Sequence, residues 1–142
     1  GRFAGRFQVD LKISDGLFFG ASAIEFPLVN GDNTIEIPGS ADTTKVVVVI
    51  EGARTNTQVW NKTNGIRVRY PRPLPLNTVA TITGHDMLAS EVVGGNETDT
   101  TYTVVHSGSP QWMILRPGTN IINLSSDSGA GAVKLLVQGA WT

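Results

Sequence analysis

Cysteine is absent from the 142-residue chain, which excludes disulfides, thiolate metal sites and cysteine nucleophiles together. That absence is compatible with assembly in a reducing cytosol. Charge is scarce too: 16% of residues are charged, against roughly 25% in ordinary soluble domains, and the net charge is −1. So neutral a chain carries no basic footprint for nucleic acid or an acidic membrane surface. Histidine occurs only at His85 and His106. No apolar run approaches the ~20 residues that cross a bilayer as a helix; the longest, Val46 to Ile50, is strand-sized. Neither a nucleic-acid partner nor membrane insertion is expected.

What the chain has is apolar residues (40%), 16 glycines and 7 prolines. Such a mix suits short strands joined by turns and argues against disorder. The apolar period is two. Val9, Leu11 and Ile13 alternate with Gln8, Asp10 and Lys12. Ile66-Arg67-Val68-Arg69-Tyr70 repeats the scheme, as do Val133, Leu135 and Val137. Val46 to Ile50 lacks alternation, which places it near a sheet centre or under cover on both faces. Turn signals recur at Asp15-Gly16, Asn30-Gly31, Pro38-Gly39, Asn64-Gly65, Gly94-Gly95 and Pro117-Gly118, with Asn64-Gly65 the best tight-hairpin candidate.

Strands are expected near residues 7–13, 17–26, 33–37, 45–52, 57–61, 65–70, 77–83, 101–106, 111–115, 120–125 and 132–140. A short helical turn is expected from Asp86 to Val92. The prediction is one all-β domain over 1–142, an antiparallel β-sandwich of jelly-roll, galectin-like or carbohydrate-binding-module-like type. Because the chain opens on Gly1, it is read as a fragment of a larger protein.

Residues suited to chemistry are few. His85 and Asp86 are sequence neighbours, and neighbours on a strand face opposite ways. Ser90 and Ser107 lack nucleophile-elbow context. Asn30 to Asn33 and Ser125 to Ser128 are oxygen-rich enough for calcium but read as ordinary turns. No catalytic residue, metal ligand or cofactor is therefore assigned. Trp60, Trp112 and Trp141, with Tyr70 and Tyr102, are candidates for a sugar-stacking platform. Of these, Trp112 and Trp141, beside apolar strand residues, are read as core plugs. Arg67, Arg69 and Arg72 form the one basic cluster, either a solvated strand face or a subunit contact.

Ser109-Pro110-Gln111-Trp112-Met113-Ile114-Leu115-Arg116-Pro117-Gly118-Thr119-Asn120 resembles a signature of the C-terminal domain of siphophage distal tail proteins. There a Ser and Trp precede a Leu-x-Pro-Gly-x-Asn turn, and a last strand ends in Ala-Trp, here Ala140-Trp141. Val47 to Gly52, Thr55-Asn56-Thr57 and Trp60 to Thr63 fit the family's earlier order; Pro75-Leu76-Asn77-Thr78 departs from its Gly-Asp turn. In this motif Pro117 fixes φ, Gly118 supplies positive φ, Asn120 bonds the turn, and Trp112 and Leu115 anchor the preceding segment.

The resemblance implies a structural, non-enzymatic virion or prophage component at the tail tip, assembled in the bacterial host cytoplasm. Its parent forms a ring whose N-terminal domain would precede this chain, with residues 1–16 as the lead-in strand. Implied partners are other tail proteins: the tube, the tip or baseplate, and a receptor-binding protein. A carbohydrate-binding module recognising a cell-surface glycan is the alternative, because a sandwich fold alone does not separate the two. Candidate contacts under either reading are Trp60, Arg67, Arg69, Tyr70 and Arg72.

Overall fold

The computed structural model describes residues 18–108 and 112–142. The strand expected at 7–13, the lead-in at 1–16, and Ser109, Pro110 and Gln111 lie outside the described residues. The first strands are β1 Phe18–Phe19, β2 Ile24–Leu28, β3 Gly31–Ile37, β4 Val46–Glu51, β5 Arg54–Thr55, β6 Thr57–Asn61 and β7 Arg67–Tyr70. They are followed by β8 Thr78–Thr83, β9 Leu88–Val93, β10 Asn96–Asp99, β11 Val105–Ser107, β12 Gly118–Ser125, β13 Ser128–Gly129, β14 Val133–Val137 and β15 Ala140–Trp141. Among the described residues the sole helical element is a 3₁₀ turn, Thr101–Thr103.

Two antiparallel sheets form a sandwich. One runs β10-β9-β8-β4-β14-β2 and the other β11-β7-β6-β12-β3. The alternating residues of each strand meet between them. Val46, Val48, Ile50, Ala80, Ile82, Val133, Leu135 and Val137 come from the first sheet; Ile35, Ile37, Val59, Val68, Ile122 and Leu124 come from the second. Each Val, Leu or Ile among them contributes about 1.5–3 kcal/mol by leaving water. Short ribbons, β1 with β15 and β13 with β5, close the periphery. Val46 to Ile50 is indeed central, with β8 and β14 as its neighbours.

Several expectations need correcting. Asp86 to Val92 is not helical: 84–87 form a hairpin loop, and Leu88–Val93 is β9. Met87, Leu88, Ala89 and Glu91 are good helix formers, but pairing to β8 overrides propensity. The polar strand β10 escaped notice because Asn, Glu and Asp disfavour strands. The tight hairpin is Gly94-Gly95 rather than Asn64-Gly65. Both glycines have positive φ (57° and 84°), as a two-residue primed turn requires, and Val93 pairs with Asn96. Asn64-Gly65 sits in a longer loop between Trp60 and its partner Arg67.

The stretch 101–106 divides into the 3₁₀ turn and β11, and the described part of 17–26 divides into β1 and part of β2. The described part of 111–115 is a buried irregular segment, tied to the fold by one bridge from Leu115 to Thr43. Its backbone still needs partners. Asn61 and Asn64 both donate side-chain amides to the Ile114 carbonyl, at 3.0 and 2.8 Å.

Candidate functional site

Strand alternation gives each sheet an outer face. On the five-stranded sheet, one row of register partners crosses every strand: Ser107, Arg67, Trp60, Asn123 and Asp32. A second row holds Val105, Arg69, Gln58 and Ser125. Thr57, Val59 and Asn61 point inward on β6, so Trp60 must point outward.

Trp60 is half-buried beneath cations. The Arg67 guanidinium lies 4.6 Å from the indole centroid and Lys62 Nζ lies 5.6 Å from it. Such contacts are worth about 0.5–1 kcal/mol on an exposed surface. Lys62 also pairs with Asp32 at 3.0 Å, and Asn123 donates to Asp32 at 2.9 Å. The Asn123 bond, then the Lys62 bond, holds the Asp32 carboxyl below its usual pKa. Arg69 donates to Asn56 Oδ1 at 2.8 Å. Among the described residues neither Arg67 nor Arg69 has a carboxylate partner. Trp60 Nε1 is buried with no acceptor there, a mismatch that costs about 1–3 kcal/mol.

Tyr70 does not join this face. It is fully buried, as the alternation with Val68 dictates. Its hydroxyl donates to Glu91 Oε2 at 2.5 Å and lies 2.8 Å from Thr100 Oγ1. Arg72 donates to the same carboxylate, through Nε to Oε2 at 2.6 Å and Nη2 to Oε1 at 3.2 Å. Glu91 belongs to the six-stranded sheet and Tyr70 to the five-stranded one, so the group ties the two sheets together. Burial pushes the Glu91 carboxyl up, but the bonds from Arg72 and Tyr70 outweigh it, and its pKa is lowered. Burial first, then the bond to Glu91, raises Tyr70 to about 12. The bond to Glu91 raises Arg72. Tyr70 is therefore not the surface aromatic expected, whereas the Arg72 side chain, though paired with Glu91, stays 40% exposed.

The remaining candidates are dispersed. Tyr102 is 78% exposed and Trp141 is 39% exposed, so Trp141 is not the core plug expected. Trp112 is buried, with its ring 6.0 Å from that of His106. His85 Nδ1 meets Thr44 Oγ1 at 2.7 Å in an exposed loop. Asn30 and Ser126, from the two oxygen-rich turns, both accept from the buried Arg54. Burial lowers the Arg54 pKa. No group of three or more His, Asp or Glu among the described residues is placed to hold a metal.

The Leu115 to Asn120 turn is built from within. Gly118 has φ of 90°, and Leu115 is fully buried. Asn120, also fully buried, donates to the Arg116 carbonyl at 2.8 Å and accepts from the Arg116 N–H at 3.2 Å. Pro117, between them, is partly exposed.

Sequence reasoning missed Glu91 and Arg54. Glu91 lies 19 positions from Arg72, with no local pattern to join them. The outer face of the six-stranded sheet is different in kind. It carries Val47, Val49, Val79, Val92 and Leu136, with a shallow depression of about 430 Å³ lined by Thr81, Thr83, Leu88, Ser90, Glu97 and Asp99. Aromatic and arginine side chains are absent from that lining. Set against known proteins, the chain matches no family model, no curated protein and no solved structure.

Proposed function

We propose that this domain is a non-catalytic protein-contact module, and that it serves as the C-terminal platform of a distal tail protein in a phage or prophage virion. The observation that supports contact with protein is the Trp60–Arg67 stack on the open face of the five-stranded sheet. Trp and Arg dominate binding energy at protein interfaces, and here they sit side by side among small polar residues. The virion assignment is supported by the Trp112 to Asn120 motif and the closing Ala140-Trp141.

Glycan binding is the weaker reading. It needs an open aromatic face, yet the Trp60 indole carries Arg67, and Tyr70 is internal. Among Trp60, Tyr70 and Tyr102, Tyr102 alone remains widely exposed.

Electron microscopy of tails carrying a label on this domain tests the assignment. Label at the tail tip supports it; label along the tube or on the capsid rejects it. Calorimetry against host wall glycans separates the alternative. Binding that is lost on Tyr102→Ala or Trp60→Ala would favour a glycan module.

A further inference from the structure

Arg67 and Arg69 stand at alternate positions of β7, on one face of the sheet. Alternate residues of a strand are about 7 Å apart. Each guanidinium is already oriented, Arg67 by the Trp60 ring and Arg69 by Asn56 Oδ1. Orientation in the free state lowers the entropy lost on binding. Neither has a carboxylate partner among the described residues, whereas Lys62, Arg72 and Lys134 each have one. Val105, 44% exposed, flanks Arg69 from the edge strand β11. The result is a pair of prepared cations with apolar surface on either side, beside a strand, β11, that is the sheet edge among the described residues.

We infer that this face docks an acidic protein segment in extended conformation, with carboxylates at alternate positions. The spacing of two guanidiniums on β7 matches the spacing of two carboxylates on a partner strand. The inference rests on the protein-contact reading above and names the chemistry of its partner. An acidic polysaccharide would satisfy the charge, but Arg67 occupies the indole face that a sugar ring would need.

The test uses the whole chain, ¹⁵N-labelled, with NMR observation of arginine Nε–H and tryptophan indole resonances. The probes are a Glu-Thr-Glu-Thr-Glu-Thr peptide, its isomer with the three Glu adjacent, a Lys-Thr repeat, and oligogalacturonate. The alternating acidic peptide is expected to shift Arg67, Arg69 and Trp60 saturably, leaving Arg116 unmoved. The Arg67→Gln/Arg69→Gln double variant should bind it about tenfold more weakly. The same loss is expected of Arg67→Glu/Arg69→Glu, with amide shifts elsewhere preserved in at least one of the two variants. Tighter binding of oligogalacturonate, equal binding of the block isomer, equal shifts at Arg116, or no saturation would each overturn the inference. Because the probe is a defined peptide, this outcome is independent of where a labelled domain lies on a tail.

Discussion

Arg67 and Arg72 are five positions apart in one basic cluster, and the fold uses them in opposite ways. Arg72 is committed to Glu91, a carboxylate buried between the sheets and also bonded by Tyr70. Arg67 lies on the outside, stacked on Trp60 and without a carboxylate among the described residues. Strand parity sends Arg67 and Arg69 outward with Val68 and Tyr70 inward; the strand ends at Tyr70, and the chain bends at Arg72, whose side chain meets Glu91. Similar side chains thus divide into an internal joint and an open face. Their consequences for stability and for contact should separate accordingly.

The largest effect is expected at the joint. Glu91→Ala removes the shared acceptor, leaving the Tyr70 hydroxyl with Thr100 alone and the 40% exposed Arg72 side chain to solvent and Tyr102. A loss of about 2 kcal/mol in urea unfolding is expected, because charge-assisted bonds to Tyr70 and Arg72 are lost while both partners keep other bonds or solvent. A loss under about 1 kcal/mol, the level of an ordinary surface pair, would mean the joint is not structural.

Tyr70→Phe should cost less, about 1 kcal/mol, because Glu91 keeps Arg72. Its signature is in pH. The folded pKa of Tyr70 is raised from 10.0 to about 12, so its contribution is complete below pH 10 and lost as pH rises toward 12. The parent chain should lose stability through that window, and Tyr70→Phe should flatten this loss. Glu91 has the opposite sign. Its folded pKa is lowered, so its contribution is present at neutral pH and lost as pH falls through the carboxylate range. Glu91→Gln should reduce that acid sensitivity, as read by thermal unfolding between pH 3 and 7.

The smallest effect is expected outside. Arg67→Ala should cost about 0.5–1 kcal/mol, the worth of its stack on Trp60. It should also weaken binding.

Much of this division was legible in the sequence. The alternation at 57–61 and 66–70 places Trp60, Arg67 and Arg69 outside, and it also places Tyr70 inside with Val68. Treating Tyr70 as a surface aromatic ran against that periodicity. The Leu115 to Asn120 turn could be read because proline, glycine and a bonding asparagine act within six residues. Glu91 could not be placed because its strand is rich in helix formers and its partners come from the other sheet. The buried segment Trp112 to Leu115 was misread as a strand because apolar runs look alike whether paired to a sheet or packed as irregular chain. Long-range hydrogen bonds, such as those of Asn61 and Asn64 to Ile114, determine that difference.

The most direct test of the divided cluster is urea unfolding of Arg67→Glu/Arg69→Glu beside Arg72→Glu at pH 7. The first variant is expected to stay within about 1 kcal/mol of the parent, since both positions face solvent. The second is expected to lose about 3 kcal/mol or more, because it sets a carboxylate against Glu91. The reverse order, with the outward pair more damaging than Arg72→Glu, would contradict the division of this cluster into an internal joint and an outward face.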